Sequence, residues 1–115
     1  MPLDRSAFEK YREFMGEDAD AFIVDIVQTF LTSAPKALED MKTFIAAGKR
    51  AEFVRAAHTL KSNSATVGAN DLRQVCETME LQGNTLDAAA LESLLDQAVR
   101  EYQQAETELK GLAGK

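Results

Sequence analysis

One cysteine, one histidine and two prolines are all that this chain of 115 residues holds of three informative residue types. Cys76 has no partner with which to form an internal disulfide, so a reducing compartment, the cytoplasm, is expected. A lone His and a lone Cys cannot supply the three or four clustered ligands of a zinc centre, so no metal site is expected. Two prolines and six glycines leave no room for a low-complexity linker, and no internal repeat is visible. No apolar run approaches the ~20 residues of a membrane span, and no signal-peptide core opens the chain. Basic residues are also short: 13 Lys and Arg against 19 Asp and Glu give a formal net charge of −6. That balance argues against a nucleic-acid partner, because phosphate binding needs clustered cations. Neither a nucleotide loop nor an acidic metal pocket is found. Ser62 and Ser64 lack the nucleophile elbow and Gly-rich oxyanion loop of a hydrolase. The expectation is one domain with one core, off the membrane and monomeric.

The apolar periodicity is helical throughout. Residues 1–16 hold a short helix with Asp4 or Ser6 as cap, Phe8, Tyr11 and Met15 on its apolar side, and Gly16 as its stop. It is too short to stand alone and should lie across the end of a larger bundle. Glu17 to Ala47 reads as one long helix ended by Gly48, with Asp18 and Asp20 as cap candidates. Its stripe of Ile23, Val27, Leu31, Ala34, Leu38, Met41 and Ile45 keeps its phase across Pro35, which favours one helix kinked near Leu31–Thr32 over two helices. Phe22 and Ile26 lie off that stripe. They either receive the N-terminal helix or form an apolar patch for a partner, and both roles are compatible. Asp71 to Leu81 is a shorter helix with Leu72, Val75, Cys76 and Met79 inward, capped by Asn70. Gln82 to Asp87 is a loop in which Gly83-Asn84 stops one helix and Asp87 caps the next. Ala88 to Leu112 carries an unbroken stripe from Leu91 through Tyr102 to Leu109 and Leu112, with Gly111 and the residues after it fraying.

Lys49 to Val67 organises the rest. At about 100° per residue, Phe53, Ala57, Leu60, Ser64 and Val67 share one inward line. His58 lies about 140° from that line, beside Val54, Ser62 and Ala65, with Lys61 one turn further on. The lone histidine therefore faces outward from a core helix, among small residues and one cation. Gly68 should take the left-handed conformation that ends the helix. In an antiparallel pair turning there, His58 stands ten residues before Gly68 and Glu80 twelve after it, which leaves two readings for Glu80: a partner that approaches the imidazole, or a solvated side chain.

The run His58-Thr59-Leu60-Lys61-Ser62-Asn63-Ser64-Ala65-Thr66-Val67-Gly68-Ala69 resembles the signature of the histidine-containing phosphotransfer (HPt) domain of bacterial two-component phosphorelays. The family pattern is His-x-Leu-Lys-(Gly/Ser)-(small)-(Ser/Ala), then an apolar residue, Gly and Ala or Leu. Ser62 stands where Gly is most frequent, and Asn63 is bulkier than the usual Ser or Ala. Lys49 stands where the family usually has Asp.

The resemblance covers nearly the whole chain. It implies an all-α, antiparallel up-down four-helix bundle with a short extra N-terminal helix, in keeping with the stripes and short connections. It also implies a phosphoryl carrier, not a kinase by itself, that takes the group on His58 from one receiver domain and passes it to another. Histidine's ordinary pKa of about 6.5 makes the neutral, nucleophilic imidazole abundant at neutral pH. Lys61 would support the phosphate and Glu80 would partner the imidazole. Phe22, Ile26, Val54, Arg55, Ser62 and Ala65 would form the docking surface. Mg²⁺ would come from the receiver, with no cofactor bound by this chain. The implied partners are response-regulator receivers, a hybrid histidine kinase, or both. Two other readings stay open. One is the phosphoacceptor domain of a chemotaxis-type kinase. The other is a helical module that binds receivers without transfer.

Overall fold

The computed structural model describes Leu3 and residues 6–113, with side chains described through Gly111. Five α-helices follow one another: α1 (Ser6–Met15), α2 (Ala19–Ala47), α3 (Arg50–Thr66), α4 (Asn70–Gln82) and α5 (Ala88–Ala113). The last four form a closed ring in which α2 packs on α3, α3 on α4, α4 on α5 and α5 back on α2. This is an antiparallel up-down four-helix bundle, with α1 as an addition packed on α2. Its core is a continuous set of inward residues, including Val27, Phe30 and Met41 of α2, Phe53 and Leu60 of α3, Leu72 and Met79 of α4, and Leu91 and Leu109 of α5.

Two of the turns are built alike. Gly48 (φ 71°) ends α2 while Lys49 N–H donates to Phe44 O and Gly48 N–H to Ile45 O. Gly68 (φ 74°) ends α3 while Ala69 N–H donates to Ser64 O and Gly68 N–H to Ala65 O. Both are Schellman closures, which satisfy the orphan carbonyls of the last turn and need a residue at ease in the left-handed region. The third connection is different. Gly83 keeps a right-handed φ of −61°, so it is not a left-handed stop. Its requirement is space, because a Cβ there would stand 2.5 Å from Val54 Cγ2 and 2.8 Å from the Met79 carbonyl oxygen. Arg50 ties the loop down by donating to Gly83 O (2.9 Å) and Leu86 O (2.6 Å). Asp87 caps α5, its Oδ1 accepting from Ala90 N–H at 2.9 Å.

The helices differ in length, and α1 answers the mismatch. With 29 residues in α2 and 17 in α3, α2 overhangs by about 18 Å at 1.5 Å per residue, on the side of the Gly68 turn. There α1 buries Phe8, and Tyr11 stacks edge-on against Phe22 with 5.1 Å between ring centroids. The Tyr11 hydroxyl donates to the Thr66 carbonyl at 2.7 Å, satisfying one of the open acceptors at the end of α3.

Several local expectations need correction. Asn70 does not cap α4: it is the first helical residue, and Ala69 holds the cap position without a side-chain bond. The backbone accounts for this, since the Gly68 closure delivers the chain into α4 with no residue to spare. Asp18 sits at the N-cap of α2 but makes no side-chain cap bond, because residues 16–18 form a 3₁₀ turn and Asp18 is already right-handed. Asp20 faces Arg12 instead, at 3.6 Å. Helix α2 accordingly starts at Ala19, and Gly111 lies within α5. Asp4 and the Leu112 side chain lie outside the described residues.

Pro35 leaves α2 continuous. It withholds the N–H that would have met Leu31 O. The Tyr102 hydroxyl of α5 lies 3.4 Å from that oxygen, so a tyrosine in the core stripe attends to the carbonyl that proline strands. Burial and the nearby Glu106 carboxylate push the Tyr102 hydroxyl pKa up to about 12, which keeps it a donor.

Gly83→Ala is expected to destabilise the bundle by about 1–3 kcal/mol through overpacking, because Val54 is β-branched within a helix and has little rotameric freedom. Chemical denaturation measures this. A variant as stable as wild type would show that the loop yields and that the close approach is incidental.

Candidate functional site

His58 comes from the middle of α3, and its direction follows from what the other side of the helix buries. Phe53, Ala57, Leu60 and Ser64 are each inaccessible to solvent. Ser64 survives there because its hydroxyl donates to Leu60 O at 2.7 Å, one turn back along the same helix. With that face committed to the core, the His58 side chain is 58% exposed.

The Gly68 turn sets the register that brings a partner to the ring. Glu80 Oε2 lies 2.7 Å from His58 Nδ1. The other carboxylate oxygen, Oε1, is buried and lies 2.7 Å from Lys61 Nζ. One carboxylate thus bridges an imidazole and an ammonium on two successive turns of the facing helix. The Glu80 carboxyl is held below the ordinary carboxylate range, chiefly by the hydrogen bond from Lys61, then by the bond and charge of His58, with burial opposing them. An ionised Glu80 only accepts, so the bonded Nδ1 must carry a hydrogen. In the neutral ring that leaves the lone pair on Nε2.

Lys61 is less open than its place on the wheel implies. Its side chain is 26% exposed and is already engaged by Glu80. Beneath the cluster, one turn before Glu80 on α4, lies Cys76. Burial, reinforced by the Glu80 charge, pushes its thiol pKa up to about 12. It is a protonated core residue, not a nucleophile.

Around His58 the surface is low. Ser62 and Ala65 are exposed, and Val54 is half-buried beside them. Arg55 is exposed and borders a shallow groove shared with Ala37 and Asp40 of α2. Asn63 is half-buried and stands about 140° around the helix from His58, so its bulk is spent toward α2 and not in front of the imidazole. Phe22 and Ile26 are half-buried, and Phe22 is the surface on which Tyr11 rests. Ala65 also lines a groove with Lys10 and Tyr11, so α1 forms one edge of the histidine face. Among the described residues there is no group of three or more His, Cys, Asp or Glu side chains arranged to hold a metal, and no helix is long and apolar enough to cross a membrane.

Residue spacing does not reveal three of these features. The Lys61–Glu80 bridge, the Arg50 tie to the α4–α5 loop and the Tyr11 bond to Thr66 each join residues whose approach depends on how helices pack. The one advance signal was for Glu80, whose distance from Gly68 matches that of His58.

Comparison with known proteins points one way. The family model for the Hpt domain matches residues 25–112, the span from the first third of α2 through α5. Over 82 residues, 71% of this chain, the sequence is 27% identical to multistep phosphorelay regulator 1 of Schizosaccharomyces pombe. The matched region spans 28% of that relative's length. The crystal structure of histidine-containing phosphotransfer protein B (HptB) from Pseudomonas aeruginosa PAO1 superposes with a TM-score of 0.85, covering 98% of this chain and 95% of that one at 20% identity. At that identity the likeness speaks for the fold, α1 included.

The depressed carboxyl yields a pH prediction. A group whose folded pKa lies below its unfolded value stabilises the fold above the unfolded pKa and loses that contribution as pH falls through the folded one. Wild type should therefore be more stable than Glu80→Gln near neutral pH, and the gap should close as the solution is acidified below the carboxylate range. Denaturation midpoints across that range measure it. A gap that is constant with pH would show that Glu80 contributes shape and not charge.

Proposed function

Because the chain belongs to the Hpt domain family, whose function is histidine phosphotransfer in phosphorelays, we propose that His58 is the phosphoryl carrier and that the face around it docks receiver domains. The observation that supports this best is the bond from His58 Nδ1 to Glu80 at 2.7 Å on a side chain that is 58% exposed. It occupies Nδ1 and leaves the remaining nitrogen, with its lone pair, on a largely exposed ring.

The transfer then balances as follows. The Nε2 lone pair attacks the phosphorus of a receiver aspartyl phosphate, forming a P–N bond. The P–O bond to the aspartyl carboxyl breaks, and the receiver's carboxylate leaves with the electron pair. Nε2 has no proton to shed, because the ring hydrogen is on Nδ1. The phosphorylated ring becomes cationic, and the Glu80 carboxylate is already beside it. Lys61 stands one turn along and is positioned to turn from Glu80 toward the phosphoryl oxygens, offsetting their charge. The reverse sequence delivers the group to a second receiver.

This chain's part is the nucleophile, its orientation and a surface that lets the partner come close. Mg²⁺ and the in-line geometry are assigned to the receiver. Ser62 and Ala65 keep the approach open, and Val54 and Arg55 flank it. In this reading Phe22 acts mainly through α1, as the seat of Tyr11 at the rim of the face, and the half-buried Ile26 adds apolar surface to the docking side. Cytoplasmic placement and a monomeric state belong to the same proposal.

Incubation with a phosphorylated receiver and Mg²⁺ should place an acid-labile, base-stable phosphate on the protein. His58→Gln should keep the helical fold and take none. Ala65→Glu should keep its stability, being exposed, but should accept phosphate far more slowly, because a long side chain would enter the centre of the contact. Label on His58→Gln would remove His58 as the carrier. Normal transfer to Ala65→Glu would put the docking face elsewhere.

A further inference from the structure

A second concavity lies apart from His58. It is a groove of about 670 Å³ between α2 and α5. In the ring order α2–α3–α4–α5 it lies across the bundle from the α3–α4 edge that carries His58 and Glu80. We propose that this groove docks a basic amphipathic helix of a partner protein, on a face that leaves the histidine face free.

The floor of the groove is apolar. Leu38 of α2 and Leu95 and Tyr102 of α5 close its base, while Pro35 and Val99 form its shoulders. The rim is acidic, with Glu39, Glu92 and Asp96 against a single Lys42. None of the three carboxylates is in an ion pair among the described residues; the pairs there are made by Asp20, Asp40, Glu80 and Glu106. Glu92 and Asp96 stand four residues apart on α5 and so are neighbours of like charge, an arrangement that costs stability until a cation arrives.

The shape selects a helix. The α5 wall runs from Glu92 to Gln103, about 16 Å at 1.5 Å per residue, the length of three turns of a docked helix. A helix lays one apolar stripe on such a floor while satisfying its own backbone. An extended strand would set backbone polar groups over apolar side chains with nothing to bond them. The charge selects a basic one. A second copy of this chain would bring the same acidic rim to the groove if the two faces met symmetrically, and would be repelled.

The test uses the full chain, isotopically labelled, titrated with two synthetic helical peptides of about 14 residues, four turns at 3.6 residues per turn. Both carry the same leucine stripe, and one is flanked by Lys and Arg and the other by Glu. The basic peptide should give saturable amide shifts confined to residues 36–42 and 92–103, with the amides around His58 unmoved. The paired reversal Glu92→Lys/Asp96→Lys should weaken it by about tenfold or more, as loss of complementary charge at a rim does. Val99→Glu, on the shoulder, should weaken both peptides. Equal binding of the acidic peptide, indifference to the paired reversal, or shifts centred outside the groove would each overturn the proposal. Phosphate uptake by His58 does not enter any of these readouts, so the outcome is independent of the function proposed above.

Discussion

The turn at Gly68 is the constraint on which the rest depends. Its two backbone bonds, Ala69 to Ser64 and Gly68 to Ala65, fix the end of α3 at Thr66, and α4 begins at Asn70. Nothing in that turn can slip by a residue without rotating α4 by about 100° relative to α3. With the register held, Glu80 arrives opposite His58 and Lys61 together. A non-glycine at 68 would have to adopt φ 74°, a conformation that costs an ordinary L-residue roughly 1 kcal/mol or more. It would thereby weaken the step that sets the geometry of the imidazole.

Helix α3 carries two tasks on its two faces, and the sequence separates them cleanly. The inward line of Phe53, Ala57, Leu60 and Ser64 supports the bundle without touching chemistry. The outward residues contribute little burial, so Ser62 and Ala65 can be small at little cost to stability. Glu80 links the faces. It belongs to α4, its carboxylate is partly sheltered, and it sets the tautomer of a ring that is itself exposed. In the proposed function the accessible imidazole would therefore be oriented from a less accessible position, which would separate orientation from docking.

Much of this was legible beforehand, and the parts that were not share a cause. The four long helices follow from apolar stripes with no break in phase, and the outward histidine follows from counting around one wheel. The approach of Glu80 was one of two readings left open by residues counted away from a glycine. What escaped was set by packing between elements. Asn70 has the composition of a cap, but the tight closure before it already delivers the backbone in helical register. Gly83 has the look of a helix stop, and α4 does end there; what escaped is that its missing side chain lets the chain pass close to Val54. Lys61 stands beside an outward histidine on the wheel and is nonetheless partly covered, because the wheel does not show the carboxylate across the groove. Phe22 was legible as a seat for the N-terminal helix, and Tyr11 does rest on it, but the particular ring pair was not, because it depends on how α1 lies across α2.

The central claim is that Glu80 holds the hydrogen on Nδ1 and so makes Nε2 the atom that takes the phosphoryl group. Nitrogen-15 and phosphorus-31 resonances of the phosphorylated, ¹⁵N-histidine-labelled protein report directly which ring nitrogen bears phosphorus, through the one-bond coupling. The account predicts coupling to Nε2 alone, with Nδ1 protonated and bonded. Phosphorus on Nδ1 would contradict it, because that nitrogen would then have given up its bond to Glu80.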